Sequence, residues 1–572
     1  MIRGYFSFVL HCHLPYVLSH GRWPHGADWL FEAASETYLP LIELIDELVE
    51  DDTSPQLTVS LSPVLCEQLA DHRFKDEFEQ YLNERIAAAQ RDQTDFLHEG
   101  RARMHSNAAD TERRYRHIQV RFRTFHRDIP AQFRRLAEAG HIELMTCGAT
   151  HGYYPLLSRD ESLQAQTQAA LTSHRRHFGM QPRGIWLPEC AYRPAGEWTP
   201  PVAIEGKRSS FTRPGVDQVL VDNDLDYFVV DSALLPGGLG ANLDAASAEM
   251  HHALADRLAR GMTVPAGEPQ LSPHEVYQIC SEDATRAIAV FARDAQTGAM
   301  VWSGEYGYPG DADYLEFHKK RDPGGHRYWA VTSRQADLGD KREYIAEMAS
   351  DKTRIHAGHF VSRVREILTA QSSRTDSTGI LVAPYDAELF GHWWFEGPRF
   401  LKEAIALMAR EESIALSTLS AHLDRTEKRQ TVTVSEGSWG LENTHMVWVN
   451  EKNEWTWYLV YEAELVMAQW ARLWRDTPQA QTDELTAILK QAAREVMLLS
   501  ASDWQFLIAS EAAVDYVEDR LKEHYRDFKE LIHLAERSQT AGGLSAEDRE
   551  FLQSCQTKDH LFDDIDLHWF AG

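Results

Sequence analysis

The sequence predicts an α/β protein built on parallel strands, with two further helical parts, and three observations carry this. Short apolar strands alternate with amphipathic helices from about residue 141 to residue 384, the trace that parallel strands joined by helical crossovers leave in a sequence. Two of those strands run into a proline and then an acid, Glu189 and Asp386. Residues 67–140 and the stretch beyond residue 425 are mainly helical in pattern. Alternation alone leaves a closed barrel and a doubly wound sheet both open. No G-x-G-x-x-G follows a strand, so a dinucleotide fold has no support.

Taken in order, residues 5–10 read as a strand that runs into His11-Cys12-His13, and the two-residue period points both histidines to one side. Residues 28–50 space Leu30, Ala33, Ala34, Tyr38, Ile42, Ile45 and Leu48 as a helix does. Residues 58–61 are a second strand. In the charged stretch 67–140, Phe74, Phe78 and Tyr81 form the apolar stripe of a helical insertion, and arginines such as Arg113, Arg114, Arg116, Arg121 and Arg123 read as a solvated face. A strand at 141–146 leads to His151, a helix at 160–178 follows, and the strand at 184–187 delivers Glu189. Strands follow at 227–231 and 287–292, separated by a long irregular stretch at 233–273 of the kind that is a functional lid or disordered. A helix at 340–371 precedes the last apolar strand, 379–384, which delivers Asp386 with Glu388, His392, Trp393 and Trp394 just behind. Beyond residue 425, Trp439, Trp448, Trp455 and Trp457 fall within nineteen residues, and helices are expected at 462–474, 482–500 and 513–536. Ser502 or Asp503 reads there as an N-cap.

Composition excludes several classes. At 572 residues the chain exceeds one ordinary core, so two or three domains are expected. The formal charge is 58 minus 87, or −29, with no basic run carrying interleaved aromatics, which argues against nucleic acid. Six singly spread cysteines without a C-x-x-C pair suit reduced thiols in a cytoplasmic protein. The short apolar run near the N-terminus meets histidines instead of a cleavage site, and no stretch reaches the roughly 18 apolar residues of a membrane span.

A carboxylate at the C-terminal end of a strand is where barrel enzymes keep catalytic groups. The bland alternative for Glu189 is an ion pair with Arg183 or Arg193; for the histidine pair it is hydrogen-bonded structural polarity, and for Trp302 a place in the core. Two acids at strand exits, histidines at two others and many tryptophans nearby match what glycoside cleavage demands. One carboxylate attacks or stabilises the anomeric carbon while another protonates the leaving oxygen. Tryptophan faces stack on sugar rings, and neutral histidines hydrogen-bond hydroxyls.

On His11-Cys12-His13-Leu14-Pro15, the segment from Glu143 to Gly152, Trp186-Leu187-Pro188-Glu189-Cys190-Ala191-Tyr192, the segment from Tyr385 to Pro398 and that from Ala501 to Phe506, the sequence resembles glycoside hydrolase family 57, and most closely its glucan-branching members. The resemblance implies an incomplete (β/α)7 barrel (1–66 and 141–424), a helical insertion (67–140) and a helical C-terminal domain (425–572) that contributes to the cleft. It implies a retaining mechanism on α-glucans, without cofactor or metal, with Glu189 as nucleophile and Asp386 as general acid/base. His11, His13 and His151 are expected around the donor sugar, Asp503 and Trp504 as the C-terminal contribution, and Trp302, Trp439 and Trp448 as stacking walls. Trp186 and His392 complete the expected substrate contacts.

One departure bears on the outcome. Similar branching enzymes carry a tyrosine at the tip of a loop over the site, whereas residues 229–276 contain no Phe, Tyr or Trp. Weak branching with appreciable hydrolysis is the expectation, with Met250, His251 or His252 as substitute shields. Amylase or 4-α-glucanotransferase activity, a zinc hydrolase using His11-x-His13 with an acid from another strand, and a non-catalytic glycan-binding protein are the competing readings.

Overall fold

The computed structural model describes residues 2–236, 271–280, 286–303, 307–375, 377–540 and 543–572. Its centre is a barrel of seven parallel strands: β1 (Gly4–Cys12), β2 (Leu57–Leu61), β3 (Ile142–Cys147), β4 (Gly184–Trp186), β5 (Tyr227–Asp231), β6 (Ile288–Arg293) and β7 (Ile380–Asp386). Neighbours in sequence are neighbours in space from β1 to β6, and β7 lies beside β1. The sheet closes between β6 and β7 through a single pair, Arg293 with Val382, while β1 and β7 are paired along seven residues. The barrel is therefore an α/β fold with seven parallel strands, as expected, and its weakest seam is β6–β7.

These strands are buried along most of their length and apolar at most positions because both of their faces are covered, which is what a parallel barrel requires. Phe6, Val9 and Leu10 of β1 and Phe228, Val229 and Val230 of β5 are wholly buried. Pro384 sits inside β7 without ending it, so the ladder continues to Asp386, which lies opposite His11 of β1. Register thus sets one predicted site residue beside another.

Between β2 and β3 run four helices, Pro63–Ala70, His72–His98, Ala102–Thr124 and Ile129–Glu138. The stripe of Phe74, Phe78 and Tyr81 is buried against Phe31 and Phe122. Arg116, Arg121 and Arg123 form ion pairs with Glu112, Asp46 and Glu79, as a solvated face should. Arg114 does not, and lies on aromatic rings.

The helix expected over 28–50 is interrupted by a π-helical turn, Ala34–Tyr38, between Ala27–Ala33 and Leu39–Glu50. Such single π-turns are frequent at functional sites, and here Glu36, Thr37 and Tyr38 are buried, with Tyr38 donating to Glu388 behind the last barrel strand. The helix before β7 begins at Ala346, six residues later than expected, and Trp302 ends a short helix, Ala295–Trp302, instead of following a strand. The C-terminal part consists of helices Glu454–Asp476, Asp483–Leu499, Ser502–Ala509, Val514–Thr540 and Ala546–Lys558. Residues 237–270, the body of the aromatic-free stretch with Met250, His251 and His252, lie outside the described residues. Among the described residues no helix is long and apolar enough to cross a membrane, and the six cysteines are free thiols.

Candidate active site

The site lies at the C-terminal ends of the strands. At the exit of β4, Pro188–Cys190 makes a single tight turn in which Glu189 has φ 63° and ψ 24°. A non-glycine residue in the left-handed region costs on the order of 1 kcal/mol or more, and such strain collects at functional sites. His151, after β3, is held the same way at φ 60°. Here the chain places these two side chains against the backbone's own preference.

Glu189 accepts a hydrogen bond from Trp439 Nε1–H at 2.8 Å on one carboxylate oxygen and one from the Ser502 hydroxyl at 3.4 Å on the other. Both donors come from the part of the chain beyond residue 425. The ion pair weighed from sequence is absent among the described residues: Arg183 is taken by Asp226 and Asp424, and Arg193 donates to the Pro194 carbonyl. Burial pushes Glu189 up to about 7; the Trp439 donor works against this and the nearby Asp503 charge adds to it. Burial likewise drives Asp386 well above the usual carboxylate range, with the Glu388 and Glu189 charges adding to it and Arg293 opposing. Two carboxyl groups that cannot both ionise freely are thereby assembled from strands far apart in sequence.

The three histidines form one stack. His11 lies flat against Trp186 at 5.0 Å between centroids, and His13 against His151 at 3.8 Å. His11 is bonded through Nδ1 to Ser60 at 3.1 Å and through Nε2 to His151 at 3.1 Å. His13 is bonded to Ser62 at 2.8 Å and to Asp503 at 3.0 Å, and its backbone N–H donates to Glu388. His151 Nδ1 meets the Ser502 hydroxyl at 2.8 Å. Burial and the neighbouring rings hold His11 and His151 well below the ordinary imidazole range, so both are neutral and able to hydrogen-bond hydroxyls. Although burial pushes Asp503 up, His13 holds it below its ordinary value.

The donor atoms of His13, His151 and Asp503, and those of His11, Cys147 and His151, lie within 4.8 Å of one another. Each of these imidazole nitrogens is already hydrogen-bonded to a neighbour, so a cation would have to displace existing bonds.

Tryptophans divide in two. Trp439 is half-buried, edge-on to both Trp186 and Trp302 at 5.1 and 5.7 Å, and so forms a wall directly at Glu189. Trp186 is wholly buried beneath His11, so the expectation that it contacts substrate is corrected: it packs beneath the histidine stack. Trp448, 1% exposed, is stacked on Tyr153 with no face open to a sugar, and Trp504, 0% exposed, bonds the Leu498 carbonyl inside its helical domain. The expectation that Trp448 is a stacking wall and Trp504 part of the cleft is corrected accordingly: large aromatics near a site are also what fills the core behind it. His392 sits to one side, bonded to Glu36 at 3.1 Å.

Sequence reading missed the serines. Ser60 and Ser62 at the end of β2 orient the two histidines of β1. Ser502 is no N-cap, for Ala501 occupies that position and neither Ser502 nor Asp503 caps the helix; their side chains reach across to His151, Glu189 and His13 instead. Tyr38, donating to Glu388 at 2.5 Å, was visible only as a helix residue. Arg293, buried in an ion pair with Asp231, gave no signal beyond its place at the end of a strand.

Residues 7–435 match the profile of glycosyl hydrolase family 57, three quarters of the chain. The chain belongs to glycosyl hydrolase family 57. Residues 460–570 further match the C-terminal region described as "1,4-alpha-glucan branching enzyme, C-terminal". Among family 57 relatives, a 1,4-alpha-glucan branching enzyme of Thermococcus kodakarensis is 37% identical over 98% of this chain and 78% of its own. The crystal structure of a family 57 branching enzyme from that organism superposes with a TM-score of 0.90, at 36% identity over 100% of this chain and 97% of that one. The α-amylase AmyC of Thermotoga maritima superposes at 0.79, with 27% identity over 100% of this chain and 99% of its own.

Proposed function

We propose that this family 57 protein is a retaining, cytoplasmic enzyme of the 1,4-alpha-glucan branching type. It cleaves an α-1,4 bond through a glycosyl-enzyme intermediate on Glu189 and transfers the bound chain to a sugar hydroxyl, making an α-1,6 branch. The observation that carries the reading is the carboxyl pair itself: Glu189, strained and hydrogen-bonded by Trp439, and Asp386 at the exit of β7, both desolvated. Six free thiols fit a reducing compartment.

Asp386 is the group driven far above its ordinary range, so it holds the proton and gives it to the leaving glycosidic oxygen. Glu189, with two donors on its oxygens, is the one that ionises near neutrality and attacks the anomeric carbon as that bond breaks. Asp386, now a carboxylate, takes the proton of the acceptor hydroxyl, whose oxygen displaces Glu189 and restores both groups. The half-buried Asp503 carboxylate, which keeps lone pairs beyond its bond to His13, accepts from hydroxyls of the donor sugar, and neutral His11 and His151, buried behind it, hold His13, Asp503 and Ser502 in place, while Trp439 and Trp302 form an aromatic wall. Residues 425–572 act as a third domain that completes the cleft through Trp439, Ser502 and Asp503.

Which acceptor wins is a separate matter. Without an aromatic between residues 229 and 276, water competes for the intermediate, and hydrolysis accompanies transfer. Incubation with amylose, counting new α-1,6 linkages against reducing ends, tests this: branching with negligible hydrolysis overturns the weak-transfer reading, and reducing ends without branches favours an amylase. Glucan binding without any processing favours a non-catalytic protein. The clustered donors of His13, His151 and Asp503 favour a second reading, metal-assisted hydrolysis; full activity after exhaustive chelation disposes of it.

A further inference from the structure

A cavity of about 180 Å³ lies between the helical insertion and the barrel, and neither Glu189 nor Asp386 lines it. Arg85 and Arg114 line it from the insertion helices, and Arg327 and Phe395 from the barrel side, with Tyr115 and Glu36 between them. The reaction proposed above uses none of these groups.

The charges do not balance within the cavity. Glu36 is satisfied by Arg327 at 2.8 Å, by His392 and by the Tyr115 hydroxyl. Arg85 donates to the Gly324 and Gly325 carbonyls and to His326, and its buried Nε has no partner. Asp110, at the rim, pairs with Arg113. Arg114 makes no hydrogen bond to any described residue. Its guanidinium is held on the Tyr115 ring at 4.8 Å and the Phe395 ring at 4.9 Å, so its plane is fixed and its five donors remain available. A guanidinium pre-oriented on aromatic faces is suited to bidentate binding of a phosphate oxygen pair. Beside it the half-buried Phe395 ring and Leu315 border the cavity with carbon, whereas Tyr115, 1% exposed and covered by Arg114 and Arg85, only anchors the guanidinium.

We propose that this cavity is a binding site for a small phosphorylated sugar, with Arg114 as the residue that binds the phosphate. Phosphate is the shared chemistry, and it could arrive as the free ion or as the ester; the proposal commits to the ester because the cavity, about 180 Å³, exceeds a bare phosphate and is bordered by Leu315 and Phe395 beside the guanidinium.

Calorimetric titration of the full chain with glucose 1-phosphate, inorganic phosphate and glucose tests it. Saturable binding of glucose 1-phosphate at one site is expected, with inorganic phosphate weaker and glucose weaker still. Arg114→Ala and Arg114→Gln, with thermal unfolding midpoints checked by circular dichroism, should weaken glucose 1-phosphate by about tenfold or more. Binding that survives both substitutions in folded protein places the ligand elsewhere and overturns the proposal. Inorganic phosphate or glucose binding as tightly as the ester overturns it too, as does the absence of saturable binding. Soaking a crystal with glucose 1-phosphate reads the same point without a variant: density against Arg114 supports the site, and density only elsewhere refutes it.

Discussion

The molecule contains two clusters of histidines and carboxylates that look alike in composition and differ in what surrounds them. One is the proposed active-site group of His11, His13, His151, Asp503, Glu189 and Asp386. The other joins the start of the chain to the C-terminal helices: His20 meets Asp559 at 2.6 Å and Glu523 at 3.2 Å, and His524 meets Glu495 at 2.8 Å and accepts from Arg520. Both hold three donor atoms close enough for a metal. In the second cluster the side chains of His524 and Glu495 are fully sealed, at 0% exposure each, and cations are supplied by Arg520 and Lys558. In the first, Glu189 keeps 16% exposure, no Lys or Arg pairs with it among the described residues, and its backbone is strained. Clustered ionisable groups alone therefore do not make a site. An open edge, strain and a pair of desolvated carboxyl groups distinguish the one proposed to react.

That contrast can be broken in several ways, beginning with the largest effect. Glu189→Gln should lower glucan cleavage by roughly 10³–10⁵-fold with glucan binding retained, because it removes the proposed nucleophile and not a wall. Retained turnover in a linkage assay on amylose would falsify the assignment. Asp386→Asn should cost roughly 10²–10⁴-fold in kcat; a loss confined to KM would make Asp386 a binding group only.

The sealed cluster should respond in the opposite currency. His524→Ala removes the donor to a buried acid, and Glu495 is already pushed above its ordinary range by burial and the Asp559 charge. Unfolding in urea should show a loss of about 3 kcal/mol, with kcat per folded molecule unchanged. A stability loss below about 1 kcal/mol, or a changed kcat, would erase the distinction between the clusters.

Stability against pH sharpens it further. Glu189 has a folded pKa raised to about 7, so its stabilising contribution is fully present below the ordinary carboxylate value and is lost as pH rises through about 7. Relative to wild type, Glu189→Gln should therefore gain stability between acidic pH and pH about 8, the strain of keeping an ionised nucleophile having been removed. Thermal melts across that window check the sign. The smallest effect is kinetic: the Trp439 donor lowers the Glu189 pKa, so Trp439→Phe should shift the acid limb of the kcat/KM profile upward by about half a unit to one unit. An unmoved limb would show that the 2.8 Å bond does not tune the nucleophile.

Much of this was legible in the chain. Apolar runs long enough for one strand, separated by helical periodicity, determine a parallel α/β domain because only that arrangement covers both faces of such strands. Glu189 and Asp386 stood out since an acid after an apolar strand and a proline has to emerge at its end. The pair His11 and His13 followed from the two-residue period. What the sequence could not determine was closure, since the β6–β7 seam rests on the single contact of Val382 with Arg293. Nor could it tell which tryptophan is wall and which is core: Trp439 and Trp448 lie nine residues apart with similar neighbours, and only packing against Tyr153 buries the second. Ser60, Ser62 and Ser502 carry no pattern in the sequence, because a short hydroxyl side chain becomes a site residue only when tertiary structure aims it at an imidazole or a carboxylate from another strand. Local periodicity is written into the chain; the partners of a polar group at separations of fifty to five hundred residues are decided only when the barrel closes and the C-terminal helices dock on its mouth.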